Sequence, residues 1–206
     1  MKAISKLHFI TTSAALAEKA CAGGVDWIQL RLKNLTYEEY RKAALEVQEV
    51  CKRYNATFII NDSIQLALDI NADGVHVGKE DPLPQADIDA MLGRGGIIGC
   101  TANTIEDFIH LDGKPVSYIG LGPLRFTQTK QKLSPILGIE GYQRLFAAIK
   151  ERGMNVPPVI GIGGVTDSDV AALLATGLHG VAVSGAIGNA ADVTYAAQKF
   201  SELVKS

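Results

Sequence analysis

The sequence predicts a closed parallel (β/α)8 barrel, and three observations predict it. Short β-branched runs alternate with longer amphipathic stretches through eight strand–helix pairs in 206 residues. Runs such as VIGI at 159–162 and GVAV at 180–183 lack polar alternation, as expected of strands covered on both faces. The last two runs each lead into a glycine turn, the place where barrels of this kind bind phosphate. An open doubly wound sheet would instead carry its glycine-rich turn after the first strand, where this chain has ITTS.

The expected strands are 7–11, 27–31, 57–61, 74–77, 97–101, 118–121, 159–162 and 180–184. The expected helices are 14–22, 36–54, 64–70, 84–92, 105–111, 139–152, 168–175 and 193–204. The second helix shows the reasoning. Tyr37, Tyr40, Ala44, Val47, Val50 and Cys51 recur at three- and four-residue steps, with Glu38, Arg41, Lys42 and Glu49 between them. Thr36 can cap it, and Glu39 is placed to complete a capping box. Further on, Gly153 and Gly177 stand where the sixth and seventh helices should stop, and Thr166 or Asp167 can cap the seventh. The connection 122–138 is long, polar and basic through Arg125, Lys130 and Lys132, without an apolar period. Loops of that length in compact domains are usually functional or disordered.

Composition bounds the function. The chain reads as one catalytic domain, residues 1–206, with 47% hydrophobic and 20% charged residues. Such a chain buries roughly 70% of its unfolded surface and needs no disulfide or zinc staple. Cys21, Cys51 and Cys100 are widely spaced, form no CxxC and lie in apolar stretches, so they read as reduced core thiols suited to a cytoplasmic protein. The formal net charge of -2 and the lack of a basic stripe exclude a nucleic-acid partner. No apolar run has the length of a membrane helix or a signal peptide. An anionic ligand must therefore be held by local positive charge, and oligomeric state is not legible.

A barrel gathers its chemistry at the C-terminal ends of its strands. The second strand runs into IQLRLK, and its period of two puts Gln29, Arg31 and Lys33 on one face and Ile28, Leu30 and Leu32 on the other. The leucine face suits the helix layer. The polar face offers an anion site with an amide beside it. The third strand ends at Asn61 and Asp62, either of which could serve as a helix cap. The fourth leads into GVHVGKED, with Asp81 four residues beyond Val77. Asp62 and Asp81 could act as acid and base or hold a hard cation, and Mg2+ takes one or two carboxylates plus waters and substrate phosphates. His76 is a hydrogen-bonded barrel residue or a substrate contact. Thr101 and Asn103 offer donors after the fifth strand, and Thr127, Thr129 and Lys130 form a compact donor and cation set in the long loop. Gly164 and the Ser184–Gly185 turn let backbone N–H groups close on a phosphate.

Together the QLRLK, NDS, DGVHVGKED, TQTK, GIGGV and VSGAI segments resemble the thiamine-phosphate synthase family along nearly the whole chain. The resemblance implies small-molecule substrates, a pyrimidine diphosphate and a thiazole phosphate, and Mg2+ as cofactor. It implies that Gln29 orients the aminopyrimidine and that Arg31, Lys33, Asn61 and Lys130 hold its diphosphate. Arg31, Lys33 and Lys130 would be the catalytic cations. It implies that Asp62 and Asp81 position Mg2+, that Thr101 touches the pyrimidine, and that Thr127, Thr129, Gly164, Ser184 and Gly185 receive the thiazole phosphate. This chain departs from the family in having threonine for serine at Thr101, asparagine for histidine at Asn103, and Lys79, Phe126 and Gly185 where glutamine, proline and serine are usual. A thiazole tautomerase on the same fold would want a titratable group at the Asn103 position. A non-catalytic sensor would need no carboxylate pair, and a sugar-phosphate isomerase would leave QLRLK and TQTK unexplained.

Overall fold

The computed structural model describes residues 2–126 and 135–205. Its strands are β1 (Leu7–Thr11), β2 (Trp27–Leu30), β3 (Thr57–Asn61), β4 (Gly74–Val77), β5 (Ile97–Ala102), β6 (Tyr118–Leu121), β7 (Val159–Ile162) and β8 (Gly180–Val183). They pair in parallel in chain order, and β8 closes on β1. The helices are α1 (Ala14–Ala22), α2 (Tyr37–Tyr54), α3 (Ile64–Asp69), α4 (Gln85–Gly93), α5 (Ile105–Leu111), α6 (Gly138–Glu151), α7 (Val170–Leu174), α8 (Gly185–Gly188) and α9 (Val193–Leu203).

The sequence-based boundaries hold to within a few residues, with two informative differences. Strand β2 stops at Leu30, although the N–H of Arg31 still donates to the Thr11 carbonyl at 3.0 Å. Ser184 leaves β8 and becomes the N-cap of the one-turn α8, which strand periodicity cannot announce. The Thr36–Glu39 capping box forms as expected, and Thr166 heads a second box with Asp169. All three cysteines are buried free thiols.

Two apolar layers result from the pleat. Outward residues such as Ile28, Leu30, Phe58, Ile60, Val75, Val181 and Val183 meet the helices in the main core. Inward residues Trp27, Ile59, Ile97, Tyr118, Ile160 and Ala182 fill the lower barrel. His8 joins this inner layer, stacked on Trp27 at 4.2 Å. Burial holds His8 well below the usual histidine pKa, so it is neutral and donates its Nε2–H to the Ser5 carbonyl at 3.0 Å. A filled floor leaves only the C-terminal rim open to chemistry.

Two tyrosines tie that rim together from the helix layer. The Tyr40 hydroxyl on α2 lies 2.8 Å from the Leu30 carbonyl and 3.1 Å from that of Asn61, bridging the ends of β2 and β3. The Tyr142 hydroxyl on α6 does the same for β6 and β7, at 2.8 Å from the Leu121 carbonyl and 3.3 Å from that of Ile162. Among the described residues, no helix is long and apolar enough to cross a membrane.

Candidate active site

Asp62 and Asp81 meet at the rim beyond β3 and β4. Of three consecutive residues able to cap α3, Asn61, Asp62 and Ser63, the hydroxyl of Ser63 takes the task and accepts from the Leu66 N–H at 3.2 Å. That leaves the Asp62 carboxylate to face the mouth. Its backbone is left-handed at φ 67, a conformation that costs a non-glycine residue roughly 1–2 kcal/mol and that Asp tolerates better than most. The Asp62 N–H donates to the His76 carbonyl at 2.8 Å, which fixes the turn against β4. Asp81 is held from the other side, where its Oδ2 accepts from the Gly78 N–H at 2.6 Å.

A protonated Asp62 can hydrogen-bond to Asp81. Burial, then the charge of Asp81, then that hydrogen bond raise Asp62 to about 6, while Arg31 and Lys33 pull it partly back. Arg31 and Lys33 are therefore within electrostatic reach of the Asp62 carboxyl. Two neighbouring carboxylates, one with its pKa raised, make a donor set for a cation. A hard divalent ion fits it, with the remaining positions filled by water and phosphate oxygens.

The barrel interior supplies the polar wall of the mouth. Gln29 is buried, and its Nε2 donates to the Tyr118 hydroxyl at 3.4 Å. His76 Nδ1 lies 3.0 Å from the same hydroxyl, and His76 Nε2 lies 3.1 Å from the Thr101 Oγ1. Asn61, also buried, pairs in register with His76. Gln29, His76, Tyr118 and Gly120 line a small hollow with Ile10, Ile160 and Ile162. His76 is thus both a hydrogen-bonded barrel residue and part of the wall.

Gly164 and the Ser184–Gly185 turn stand at the ends of the adjacent strands β7 and β8. Gly163 and Gly164 have φ of 97 and 75, so both positions favour glycine. A Cβ on Gly163 would also sit 2.5 Å from the Pro123 Cβ. Arg125, which sequence reasoning passed over, joins this turn to the loop after β6. Its Nη1 donates to the Gly164 carbonyl at 2.5 Å, and its guanidinium grips Asp169 at 2.6 and 2.7 Å. That grip holds the Asp169 carboxyl well below the usual carboxylate range. Thr127, Thr129 and Lys130 lie outside the described residues.

Two further features bear on the reading. Asn103 is buried, with its Nδ2 donating to the Gly122 carbonyl and its N–H donating to Asp107 at 2.7 Å, so it ties β5 to the loop after β6. A cleft of about 510 Å³ runs between α4 and α5 and takes in Gly78, Asp81 and Thr101 where it nears the rim. Within it Lys79 pairs with Asp107, and the Lys114 ammonium donates to His110 at 2.7 Å. Gln29, Asp62, His76 and Thr101 nevertheless converge on the mouth.

Comparison with known proteins agrees with this geometry. Residues 3–187 match the family described as thiamine monophosphate synthase. A thiamine-phosphate synthase of Phocaeicola vulgatus is 43% identical over 187 residues, covering 90% of this chain and 89% of its own. One from Flavobacterium johnsoniae is 44% identical over 189 residues, covering 89% and 88%. A thiamine phosphate pyrophosphorylase structure from Pyrococcus furiosus superposes with a TM-score of 0.83 at 26% identity, covering 97% of this chain and 95% of that one. The sequence resemblance, the closed barrel and these matches agree, and the chain belongs to the thiamine monophosphate synthase family, transferases that make thiamine phosphate.

Proposed function

We propose that this chain joins 4-amino-2-methyl-5-(diphosphooxymethyl)pyrimidine to a thiazole phosphate, releasing pyrophosphate, with Mg2+ on Asp62 and Asp81. The observation that carries the proposal is a carboxylate pair set among cations, because Asp81, Arg31 and Lys33 all act on the Asp62 carboxyl. A ligand bringing both a divalent ion and a diphosphate satisfies both sets of charges at once. Mg2+ would neutralise charge on the diphosphate as the leaving group departs.

The thiazole nitrogen already has a free lone pair, so the nucleophile needs no base. The hard step is heterolysis of the methylene C–O bond, whose electron pair leaves with pyrophosphate. The 4-amino group feeds density toward the methylene carbon, and the thiazole nitrogen then forms the new C–N bond. Arg31, Lys33, Asn61 and Lys130 hold the diphosphate and stabilise the charge that grows on it. Gln29 orients the aminopyrimidine, with His76 and Thr101 alongside. Thr127, Thr129, Gly164, Ser184 and Gly185 receive the thiazole phosphate.

The tautomerase reading loses its residue, since Asn103 carries no titratable group and is spent on Gly122 and Asp107. The test is an omission assay on the purified protein. Pyrophosphate and thiamine phosphate should appear together only when pyrimidine diphosphate, thiazole phosphate and Mg2+ are all present. Isomerisation of thiazole phosphate alone, or tight binding of both substrates without pyrophosphate, would overturn it.

A further inference from the structure

Gln29, Tyr118, His76 and Thr101 form one continuous hydrogen-bonded chain across the barrel, with steps of 3.4, 3.0 and 3.1 Å. Both of its ends, Gln29 and Thr101, are residues that face the ligand in the function proposed above. Its middle is built into the floor. The Tyr118 ring is 1% exposed and stands edge-on to Trp27 and His8, at 5.5 and 5.0 Å. Gly99, its register partner on β5, leaves the slot, because a Cβ there would lie 2.2 Å from the Tyr118 Cζ. Gly120 does the same for His76, whose Cε1 would be 3.0 Å from an added Cβ.

The links of such a chain are coupled, so the direction of one fixes the others. With Gln29 Nε2 donating to the tyrosine oxygen, the tyrosine proton goes to His76 Nδ1. His76 then carries its proton on Nε2 and donates to Thr101 Oγ1, and the Thr101 proton is left to point at the ligand. Reversing any one link would leave two donors or two acceptors facing each other in a buried place, which costs more than an ordinary hydrogen bond gains. The two ends of the wall are thereby coupled. Gln29 offers a carbonyl oxygen and its second N–H, and Thr101 offers a donor.

We propose that Tyr118 is a positioning residue that sets the Gln29 amide orientation and the His76 tautomer, so that the mouth selects a 4-aminopyrimidine over a 4-oxopyrimidine. The 4-amino edge places an N–H donor beside a bare ring nitrogen and matches the carbonyl and N–H of the oriented amide. The 4-oxo edge reverses that order and meets the amide oxygen with its own. The inference rests on the pyrimidine lying over this wall of the mouth, against Gln29 and Thr101.

The experiment measures binding of the 4-amino and 4-oxo pyrimidine diphosphates, with Mg2+, to the wild type, Tyr118→Phe, Thr101→Ser and Thr101→Val. Wild type and Thr101→Ser, which keeps the hydroxyl, should prefer the amino form. Tyr118→Phe, which keeps the ring in its slot, should reduce that preference about tenfold, the top of the range for one hydrogen bond, with the KM for thiazole phosphate unmoved. A purely structural role would weaken both pyrimidines alike and leave their ratio intact, and that result overturns the proposal. Thr101→Val breaks the same chain at its far end and should lower the ratio as well, so the proposal remains testable if Tyr118→Phe does not fold. A wild type without any preference would overturn the pyrimidine's place and the role of Tyr118 together.

Discussion

Asp62 and Asp81 are neighbours at the rim, and burial together with the charge of Asp81 raises Asp62 to about 6. The sign of the consequence follows. Between the ordinary value of 3.8 and about 6 the folded chain binds more protons than the unfolded one, so stability falls as pH rises through that window. Asp81→Asn removes the repulsion. It should raise the melting temperature of the metal-free protein at pH 8, leave it nearly unchanged at pH 3, and abolish the stabilisation that added Mg2+ gives the wild type. Thermal melts with and without chelator check this, and a lower melting temperature at pH 8 contradicts it.

Arg31 and Lys130 are the cations assigned to the diphosphate. Replacing either with alanine should cut turnover by on the order of 10²-fold or more, as the loss of an oxyanion donor does elsewhere. Single-turnover rates with saturating substrates are the measurement. Near-wild-type rates in both variants would remove the assignment.

Arg125 joins the Gly164 carbonyl to Asp169. Arg125→Ala should raise the KM for thiazole phosphate by roughly tenfold while leaving that for the pyrimidine diphosphate within about twofold, because uniform binding at one subsite is lost. Asp169 is held well below the usual carboxylate range, so the effect should be flat from pH 5 to pH 9 and fade only in strong acid. A rise in both KM values would place Arg125 outside the thiazole subsite.

The Tyr40 hydroxyl bridges the Leu30 and Asn61 carbonyls at the ends of β2 and β3. Tyr40→Phe should cost about 1 kcal/mol of stability, the net value of a buried hydrogen bond, and the loss should appear as a lower denaturation midpoint at constant slope. An unchanged midpoint would mean that water replaces the hydroxyl.

The barrel was legible because each strand–helix pair carries its own period, and eight of them leave few other topologies. Gln29, Asp62 and Asp81 were legible because polar residues interrupt apolar runs where the rim must be. The cap of α3 was not, since Asn61, Asp62 and Ser63 are all competent and only the backbone turn at Asp62 decides among them. The tasks of the Tyr40, Tyr118 and Tyr142 hydroxyls left no signal, because a tyrosine's apolar ring looks the same in a sequence whether or not its hydroxyl has a task. Arg125 was passed over because its partners Gly164 and Asp169 lie 39 and 44 residues away.

The central claim is that this mouth stabilises a departing pyrophosphate, while the nucleophile needs no base to activate it. The direct measurement is the single-turnover rate with a pyrimidine diphosphate whose 2-methyl group is replaced by trifluoromethyl. Electron withdrawal destabilises the pyrimidine cation, so the rate should fall by on the order of 10²-fold or more, about 3 kcal/mol in the barrier, with substrate affinity little changed. A rate within a few-fold of the natural substrate would mean that the thiazole nitrogen displaces pyrophosphate directly, and would contradict the account.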